Sequence, residues 1–140
     1  MRKLEVAALA VGLAFAGNAL AQGAAALSGV WVGYYGYDGG VPEEVEFQMK
    51  LTPIGQNFNA TTVEINTFGD RNTWFLTANV VGSVGPAGGI RFTKTYDGTG
   101  GQTHSVQYEG VLRDRCITGR WAIAAAGGPF KMCSDAQLIS

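Results

Sequence analysis

The stretch IRFTKTY (residues 90–96) sets the fold class, because its side chains alternate as those of a half-buried β-strand do. Ile90, Phe92 and Tyr96 fall on one face of such a strand, and the residues between them are polar. Lys94 breaks this pattern, since it puts an ammonium on the apolar face. A buried ammonium costs free energy unless it is paired. The sequence therefore raises the question of what Lys94 contacts.

Seven further stretches have strand character and are separated by turn residues such as Gly, Asp and Asn. Gly82, inside the fourth of the eight strands, predicts a bend or bulge. No helix-period stripe occurs after the N-terminal segment. The predicted strands span residues 29–37, 45–51, 58–65, 73–84, 90–96, 103–112, 116–123 and 129–134.

Eight consecutive strands with short connections favour antiparallel neighbours. They can close into an up-and-down barrel or pack as a sandwich. We favour the barrel, because hairpins alone build it and closure removes exposed edges, whereas a sandwich usually needs a longer crossing connection. The sequence therefore predicts an all-β, eight-stranded antiparallel up-and-down barrel.

The N-terminal segment has the pattern of a secretory signal peptide. Arg2 and Lys3 form a basic start, residues 4–17 are mostly apolar, and the A-L-A at 19–21 is a small-residue cleavage site. An apolar run of about 14 residues is short for a membrane span. We expect residues 1–21 to be removed.

Residues 22–140 then form a single barrel domain of 119 residues. Its 8 basic and 10 acidic residues give a net charge of −2, which argues against nucleic acid as a partner. No second apolar run is long enough to cross a membrane. We expect a periplasmic or secreted protein with no membrane span in its mature form, and the oligomeric state is left open.

Two cysteines, Cys116 and Cys133, fall on the outer faces of the seventh and eighth predicted strands. Exported proteins meet an oxidising compartment, so a hairpin disulfide between them is predicted, with two free thiols as the alternative. Two cysteines without a CxxC motif do not make a zinc site.

Aromatic residues supply the candidates for a binding site. Alternation puts the following on apolar faces: Phe47, Trp74, Phe92, Tyr96, Tyr108, Trp121 and Phe130, with Trp31, Tyr35 and Tyr37 sharing one face of the first strand. These rings either fill the barrel or line a cup for one small ligand. For the cup, we predict a ligand-binding set of Trp31, Tyr35, Lys94, Tyr96, Tyr108 and Trp121.

Lys94 has three interpretations at this stage. Its ammonium lies at the mouth of the barrel and reaches water. It is buried and paired with a carboxylate, for which Glu64 is the candidate although the third strand alternates too poorly to orient that side chain. Or it is the charged end of the cup and attracts an acidic group of the ligand.

The sequence offers few side chains for acid–base catalysis, because the chain has one histidine, His104. Its neighbour Ser105 points to the opposite face of the same strand, so the two are not a catalytic pair. One histidine and no clustered carboxylates argue against a metal site. We predict no catalytic residue, no metal and no cofactor, with an enzyme as the third choice of function.

An ordered series of short motifs spans nearly all of residues 22–140: W-x-G-x-Y from Trp31, F-x-K-x-Y from Phe92, Y-x-G from Tyr108, G-x-W ending at Trp121 and G-x-F ending at Phe130. In this the chain resembles small exported bacterial barrels of unassigned function. The resemblance implies a calycin-type barrel, the group that includes avidins and lipocalins.

Avidins share the early G-x-W and a late tryptophan with this chain. They follow the first tryptophan with an Asn and a Gly-Ser loop that contact biotin, whereas Val32-Gly33-Tyr34 follow Trp31 here. An Asp that avidins have before the last strand is also missing, since Gly127-Gly128-Pro129 stands there. The resemblance therefore implies the architecture and not biotin binding.

Two functions are carried forward. The first is a non-enzymatic barrel that binds a small, partly apolar ligand in its lumen, with aromatic walls and Lys94 attracting an acidic group. The second is a protein-interaction or inhibitor module with a filled barrel, acting through its outer face or through loops 38–44 and 66–72, where Phe68 is the exposed aromatic candidate.

Overall fold

Eight antiparallel strands close into one barrel in the computed structural model, which describes residues 24–40 and 42–134. Each strand pairs with the next along the chain, and β1 pairs with β8 to close the sheet. The barrel is therefore confirmed and the sandwich is wrong. The predicted signal peptide lies outside the described residues. The strands are β1 (Gly29–Gly36), β2 (Glu44–Ile54), β3 (Asn57–Ile65), β4 (Phe75–Val84), β5 (Gly89–Tyr96), β6 (Ser105–Arg113), β7 (Cys116–Ile123) and β8 (Ala126–Ser134).

Alternation builds most of the core. In β2 the buried positions are Val45, Phe47, Met49 and Leu51, and the polar residues between them are exposed. Burying one such side chain contributes about 1.5–3 kcal/mol relative to leaving it in water. β5 follows the same rule, which puts Lys94 in the interior with its apolar neighbours.

Gly82 does not mark a bulge, because the β3–β4 and β4–β5 registers run through it without an inserted residue. A Cβ at this position would lie 2.3 Å from the ring of Phe58 and 2.7 Å from the side chain of Phe92. Glycine is therefore needed here to let two large core side chains approach the sheet.

Trp74 is the one aromatic side chain whose predicted burial is wrong. β4 begins at Phe75, so Trp74 lies in the preceding loop, where its carbonyl accepts a hydrogen bond from Asn66 N–H. Its side chain is 83% exposed. The alternation within β4 itself is as predicted, since Leu76, Ala78 and Val80 are buried.

One end of the barrel is closed by a short 3₁₀ helix, Ala25–Leu27, which precedes β1. Leu27 is fully buried, and its carbonyl accepts a hydrogen bond of 2.8 Å from Trp31 Nε1. The opposite end, called the mouth below, is formed by the described residues of four connections: 37–40 with 42–43, 66–74, 97–104 and 124–125.

Cys116 and Cys133 lie directly opposite each other in the β7–β8 register and form a disulfide, as predicted. The bond joins the last strand, which closes the barrel, to its neighbour. Among the described residues, no helix is long and apolar enough to cross a membrane.

Candidate functional site

A buried ion pair occupies the interior of the barrel. Lys94 on β5 and Glu64 on β3 point inward from strands separated by β4, and Lys94 Nζ lies 2.8 Å from Glu64 Oε1. Their residues are 3% and 2% exposed. Of the three interpretations of Lys94, the structure therefore shows the pairing with Glu64.

Two tyrosine hydroxyls complete this arrangement. Tyr35 OH donates to Glu64 Oε2 at 2.6 Å, and Tyr96 OH lies 3.0 and 3.1 Å from the two carboxylate oxygens. The carboxylate thus accepts from one ammonium and two phenols. A buried ion pair is tolerated when further hydrogen bonds satisfy its atoms in this way. We call Tyr35, Glu64, Lys94 and Tyr96 the polar cluster.

Aromatic rings surround the ammonium. Lys94 Nζ lies 4.9 Å from the ring centroid of Tyr35, 4.7 Å from that of Tyr96 and 5.4 Å from that of Tyr108. All three distances are within the range of a cation–π interaction. The rings therefore stabilise the charge of Lys94 and separate it from solvent.

Burial sets the ionisation of these tyrosines. It raises the pKa of Tyr35, Tyr96 and Tyr108, because a phenolate would lose its hydration inside the barrel. The Glu64 charge raises each pKa further, while for Tyr96 the neighbouring Lys94 partly opposes the shift. The phenols thus stay neutral and keep the protons that they donate to Glu64.

A cavity of about 280 Å³ lies at the mouth. Four residues of the predicted binding set meet there, because each of β1, β5, β6 and β7 has an inward-facing aromatic residue in the half of the strand nearer the mouth. The lining consists of Tyr35, Tyr37, Phe68, Tyr96, His104, Val106, Tyr108, Trp121, Ile123 and Ala126.

The other two predicted residues lie elsewhere. Lys94 is two residues further from the mouth than Tyr96 on the same strand and is not part of the cavity lining. Trp31 is at the closed end of the barrel, four residues before Tyr35 on β1. The structure therefore brings together Tyr35, Tyr96, Tyr108 and Trp121, with Lys94 beneath them and Trp31 apart.

Ring contacts fix the walls of the cavity. Trp121 Nε1 donates to the carbonyl of Gly36 at 2.7 Å, and the Trp121 ring packs edge-on against Tyr37 and Tyr35 at 5.4 and 5.9 Å. On the other side, Tyr108 stacks on Phe92 at 4.5 Å. Such contacts hold aromatic side chains in one orientation, so the cavity is preformed.

Phe68 and His104 are lining residues that the sequence analysis did not assign to the site. The Phe68 ring contacts Tyr96 at 5.6 Å and His104 at 5.8 Å, and His104 contacts Tyr96 at 4.7 Å. Phe68 is 42% exposed, so one side of it faces solvent and the other covers the cavity. The sequence predicted a loop at residues 66–72 with Phe68 exposed, but not the direction of its aromatic ring.

Asn66 holds the loop that carries Phe68. Its Nδ2 donates to the carbonyls of Asp70 and Thr73, both at 2.7 Å, and its Oδ1 accepts from the backbone N–H of Phe68 and Gly69 at 3.2 and 2.6 Å. Asparagine side chains commonly form turns of this kind. The four bonds place Phe68 over the mouth.

Next to the mouth, three large apolar side chains are exposed: Ile65 and Phe75 on the outer wall, and Trp74 in the loop that precedes β4. Ile65 and Phe75 are cross-strand partners in the β3–β4 register. We call these three the outer apolar patch. In the described part of the chain, no group of three or more His, Cys, Asp or Glu side chains gathers as a metal site.

Known proteins resemble this chain in fold and not in sequence. No protein-family model and no curated protein matches it. The solved structures that share its fold include two designed barrels. The first is a redesigned β-barrel, mFAP1, bound to DFHBI, which is 13% identical with a TM-score of 0.64 over 81% of this chain and 98% of that one.

The second is a de novo designed fluorescence-activating β-barrel, which is 11% identical with a TM-score of 0.56. That match covers 77% of this chain and 93% of the designed one. At these identities the likeness shows the fold alone, and membership of the calycins stays a prediction.

Proposed function

We propose that this protein is a non-enzymatic, exported barrel that binds a small, partly apolar ligand at the mouth of its lumen. The observation that carries the proposal is the aromatic-lined cavity of about 280 Å³ above a polar cluster whose charges are satisfied. Ligand sites are typically concave, mostly apolar and preformed. The cavity has these three properties.

The size of the cavity limits the ligand. About 280 Å³ equals the volume of roughly nine water molecules in the liquid. This is near the lower end of the range for small-molecule pockets. A molecule with a single ring and a short substituent fits this space, and the lumen beneath it is filled by the polar cluster.

A non-enzymatic role agrees with how the reactive groups are used. The carboxylate of Glu64, the ammonium of Lys94 and the hydroxyls of Tyr35 and Tyr96 are bonded to one another. A group that is to act as a general acid or base has to reach the reacting atom of the substrate. These groups reach each other and lie within or beneath the cavity wall.

Export is supported by the signal-peptide pattern of residues 1–21 and by the disulfide between Cys116 and Cys133. Disulfides form and persist in oxidising compartments. We therefore propose a periplasmic or secreted location.

The second candidate function is a protein-interaction module. It is favoured by the outer apolar patch, in which Trp74 is 83%, Phe75 54% and Ile65 50% exposed. Exposed apolar clusters on soluble domains commonly mark interaction sites. In this case function lies on the outer wall beside loop 66–74 and the barrel only supports it.

Native mass spectrometry of the protein purified from its own source distinguishes the two. Phe68→Ala and Trp74→Ala form a matched pair, because both remove one aromatic ring from loop 66–74, and only the first lines the cavity. A small molecule retained by wild type and by Trp74→Ala, but lost from Phe68→Ala, supports the ligand-binding barrel. A retained protein that is lost from Trp74→Ala supports the interaction module and contradicts the first proposal.

A further inference from the structure

The hydrogen-bond donors of the mouth bear on the charge of its ligand. Tyr35 OH and Tyr96 OH both donate to Glu64, and Trp121 Nε1 donates to the carbonyl of Gly36. An anionic group in the cavity needs donors to replace its hydration. To use these three, it would have to break bonds that satisfy a buried carboxylate and a buried carbonyl. The other side-chain donors of the lining are the hydroxyls of Tyr37 and Tyr108 and the imidazole of His104, and a hydroxyl can also accept a hydrogen bond from an ammonium.

Lys94 does not supply the missing positive charge. Its ammonium lies 2.8 Å from Glu64, so the pair is neutral as a whole. The rings of Tyr35, Tyr96 and Tyr108 stand around it. Among the described residues that line the cavity, none is Lys or Arg, and the imidazole of His104 is the one basic group.

The loops around the mouth add a negative field. They carry the carboxylates of Asp38, Glu43, Asp70 and Asp97 against the guanidinium of Arg71, a net charge of −3 with His neutral. Arg120 of β7 pairs with Asp38, and counting it leaves −2. The turns at the closed end, residues 55–56, 85–88 and 114–115, carry one acid and one base. A cleft bordered by charges of one sign raises the local concentration of the opposite ion.

The walls favour the same sign of charge. The faces of Tyr, Trp and Phe rings are the negative ends of their quadrupoles, and they attract ammonium groups within about 6 Å. Six side chains with such rings line the cavity: Tyr35, Tyr37, Phe68, Tyr96, Tyr108 and Trp121.

From these observations we infer that the mouth selects small arylalkyl amines in their cationic form and rejects arylalkyl carboxylates. This inference rests on the proposed function, since it names the ligand class of the same cavity. It reverses the sign expected from Lys94 in the sequence, because the partner of that ammonium is Glu64 and not a ligand.

A charge series on one ring tests the inference. 2-Phenylethylamine, 2-phenylethanol and phenylacetate have nearly the same shape and are cationic, neutral and anionic at pH 7. Isothermal titration of the intact, disulfide-bonded protein at low ionic strength gives the three dissociation constants. We expect the amine to bind at least tenfold more tightly than phenylacetate, with the alcohol between them.

The effect of the carboxylates around the mouth is tested with a matched pair of variants, each of which replaces one carboxylate by a neutral amide. Glu43→Gln removes one exposed carboxylate at the mouth, and Asp114→Asn removes one at the closed end. A unit charge about 10 Å away in water changes binding roughly twofold. We expect Glu43→Gln to weaken the amine by about that factor and Asp114→Asn to leave it unchanged.

The outcomes separate the two levels of the proposal. If phenylacetate binds as tightly as the amine while the alcohol also binds, the charge inference is overturned and the ligand-binding barrel stands. If none of the three binds, the charge inference is overturned, and native mass spectrometry then decides whether the barrel binds ligands of another class. The inference is supported if the amine binds most tightly of the three and if Glu43→Gln, but not Asp114→Asn, weakens its binding.

Discussion

At the scale of single residues, the interior of this barrel is organised by a charge and not by apolar contacts alone. Lys94, Glu64, Tyr35 and Tyr96 satisfy one another inside a barrel whose other buried side chains among the described residues, apart from Thr62, are apolar. Taking two charges out of water costs several kcal/mol per ion, and the attraction between them offsets this only when the geometry is good. Removing one partner therefore affects stability more than removing both.

We expect Lys94→Met to lower the free energy of unfolding by about 3–5 kcal/mol, because it leaves the Glu64 carboxylate buried without its cation. The double variant Lys94→Met/Glu64→Gln should recover more than half of this loss, since a glutamine oxygen still accepts from the two phenols. Urea denaturation of the wild type, of Lys94→Met, of Glu64→Gln and of the double variant measures these free energies of unfolding.

Lys131→Met is the control for this cycle, because Lys131 lies on the exposed face of β8 and its replacement should change stability by less than about 0.5 kcal/mol. A double variant that is as unstable as the sum of its single variants would show that the two side chains do not act as a pair.

The buried tyrosines predict a loss of stability at high pH. Their folded-state pKa values are raised above the value of about 10 in an unfolded chain, so the folded protein binds more protons above pH 10. The stability they contribute is complete below pH 10 and is lost as the pH rises toward the folded values. The part of the tyrosinate absorbance at 295 nm that comes from these three buried side chains should therefore appear in step with the unfolding seen by circular dichroism.

Tyr34 provides the comparison, since it is exposed on the outer face of β1. If all five tyrosines ionised around pH 10 in a protein that stays folded, burial would not control these groups.

At the scale of elements, loop 66–74 connects the fold to the proposed site. Asn66 makes four hydrogen bonds within the loop, and the N–H of Asp70 donates to the carbonyl of Gly100 in the neighbouring connection at 2.9 Å. These contacts place Phe68 over the cavity, whereas Trp74 in the same loop is exposed and does not line the cavity. In this loop, Phe68 therefore belongs to the proposed ligand site and Trp74 to the proposed protein-interaction surface.

We expect Asn66→Ala to increase the dissociation rate of a mouth ligand about as much as Phe68→Ala does, because without the side-chain bonds the loop no longer holds Phe68 in place. Asn72→Ala is the control, since its side chain makes none of the four bonds. Stopped-flow release of bound 2-phenylethylamine gives the rates. Equal rates in wild type and Asn66→Ala would mean that Phe68 does not cover the ligand.

The disulfide belongs to the β7–β8 hairpin. Cys116→Ser/Cys133→Ser should lower the free energy of unfolding by about 3 kcal/mol, because the bond closes a loop with a sequence separation of 17. The sheet should remain, since β1 still pairs with β8 through backbone hydrogen bonds. Guanidinium denaturation followed by far-UV circular dichroism checks both points, and a variant without strand signal would show that closure depends on the bond.

At the scale of the whole molecule, period-two alternation predicted the eight strands, and the short connections between them predicted the closed barrel. Alternation also predicted the disulfide, because parity along β7 and β8 puts both cysteines on the outer face. It also marked Lys94 as unusual, since this residue is charged whereas the other residues on the same face of the strand are apolar.

Alternation failed to predict the faces of β3, because in this strand some polar side chains point inward and some apolar side chains point outward. In β3 the inward residues include Thr62 and Glu64, while the outward residues include Val63 and Ile65. The polar cluster needs a carboxylate inside, and the outer apolar patch puts large apolar groups outside. The position of Phe68 was also beyond reach, because it depends on side-chain bonds of Asn66 within an irregular loop.

The three tryptophans allow one direct test of where a ligand binds, because Trp31 lies at the closed end, Trp74 in the loop that precedes β4 and Trp121 in the wall of the cavity. In protein labelled with 5-fluorotryptophan, ¹⁹F NMR resolves the three sites, and 2-phenylethanol and 2-phenylethylamine are titrated in turn. We predict that the Trp121 resonance shifts and saturates while those of Trp31 and Trp74 stay in place. A shift confined to Trp74 would contradict ligand binding at the mouth, and no shift with either probe would contradict the binding of this class of ligand there.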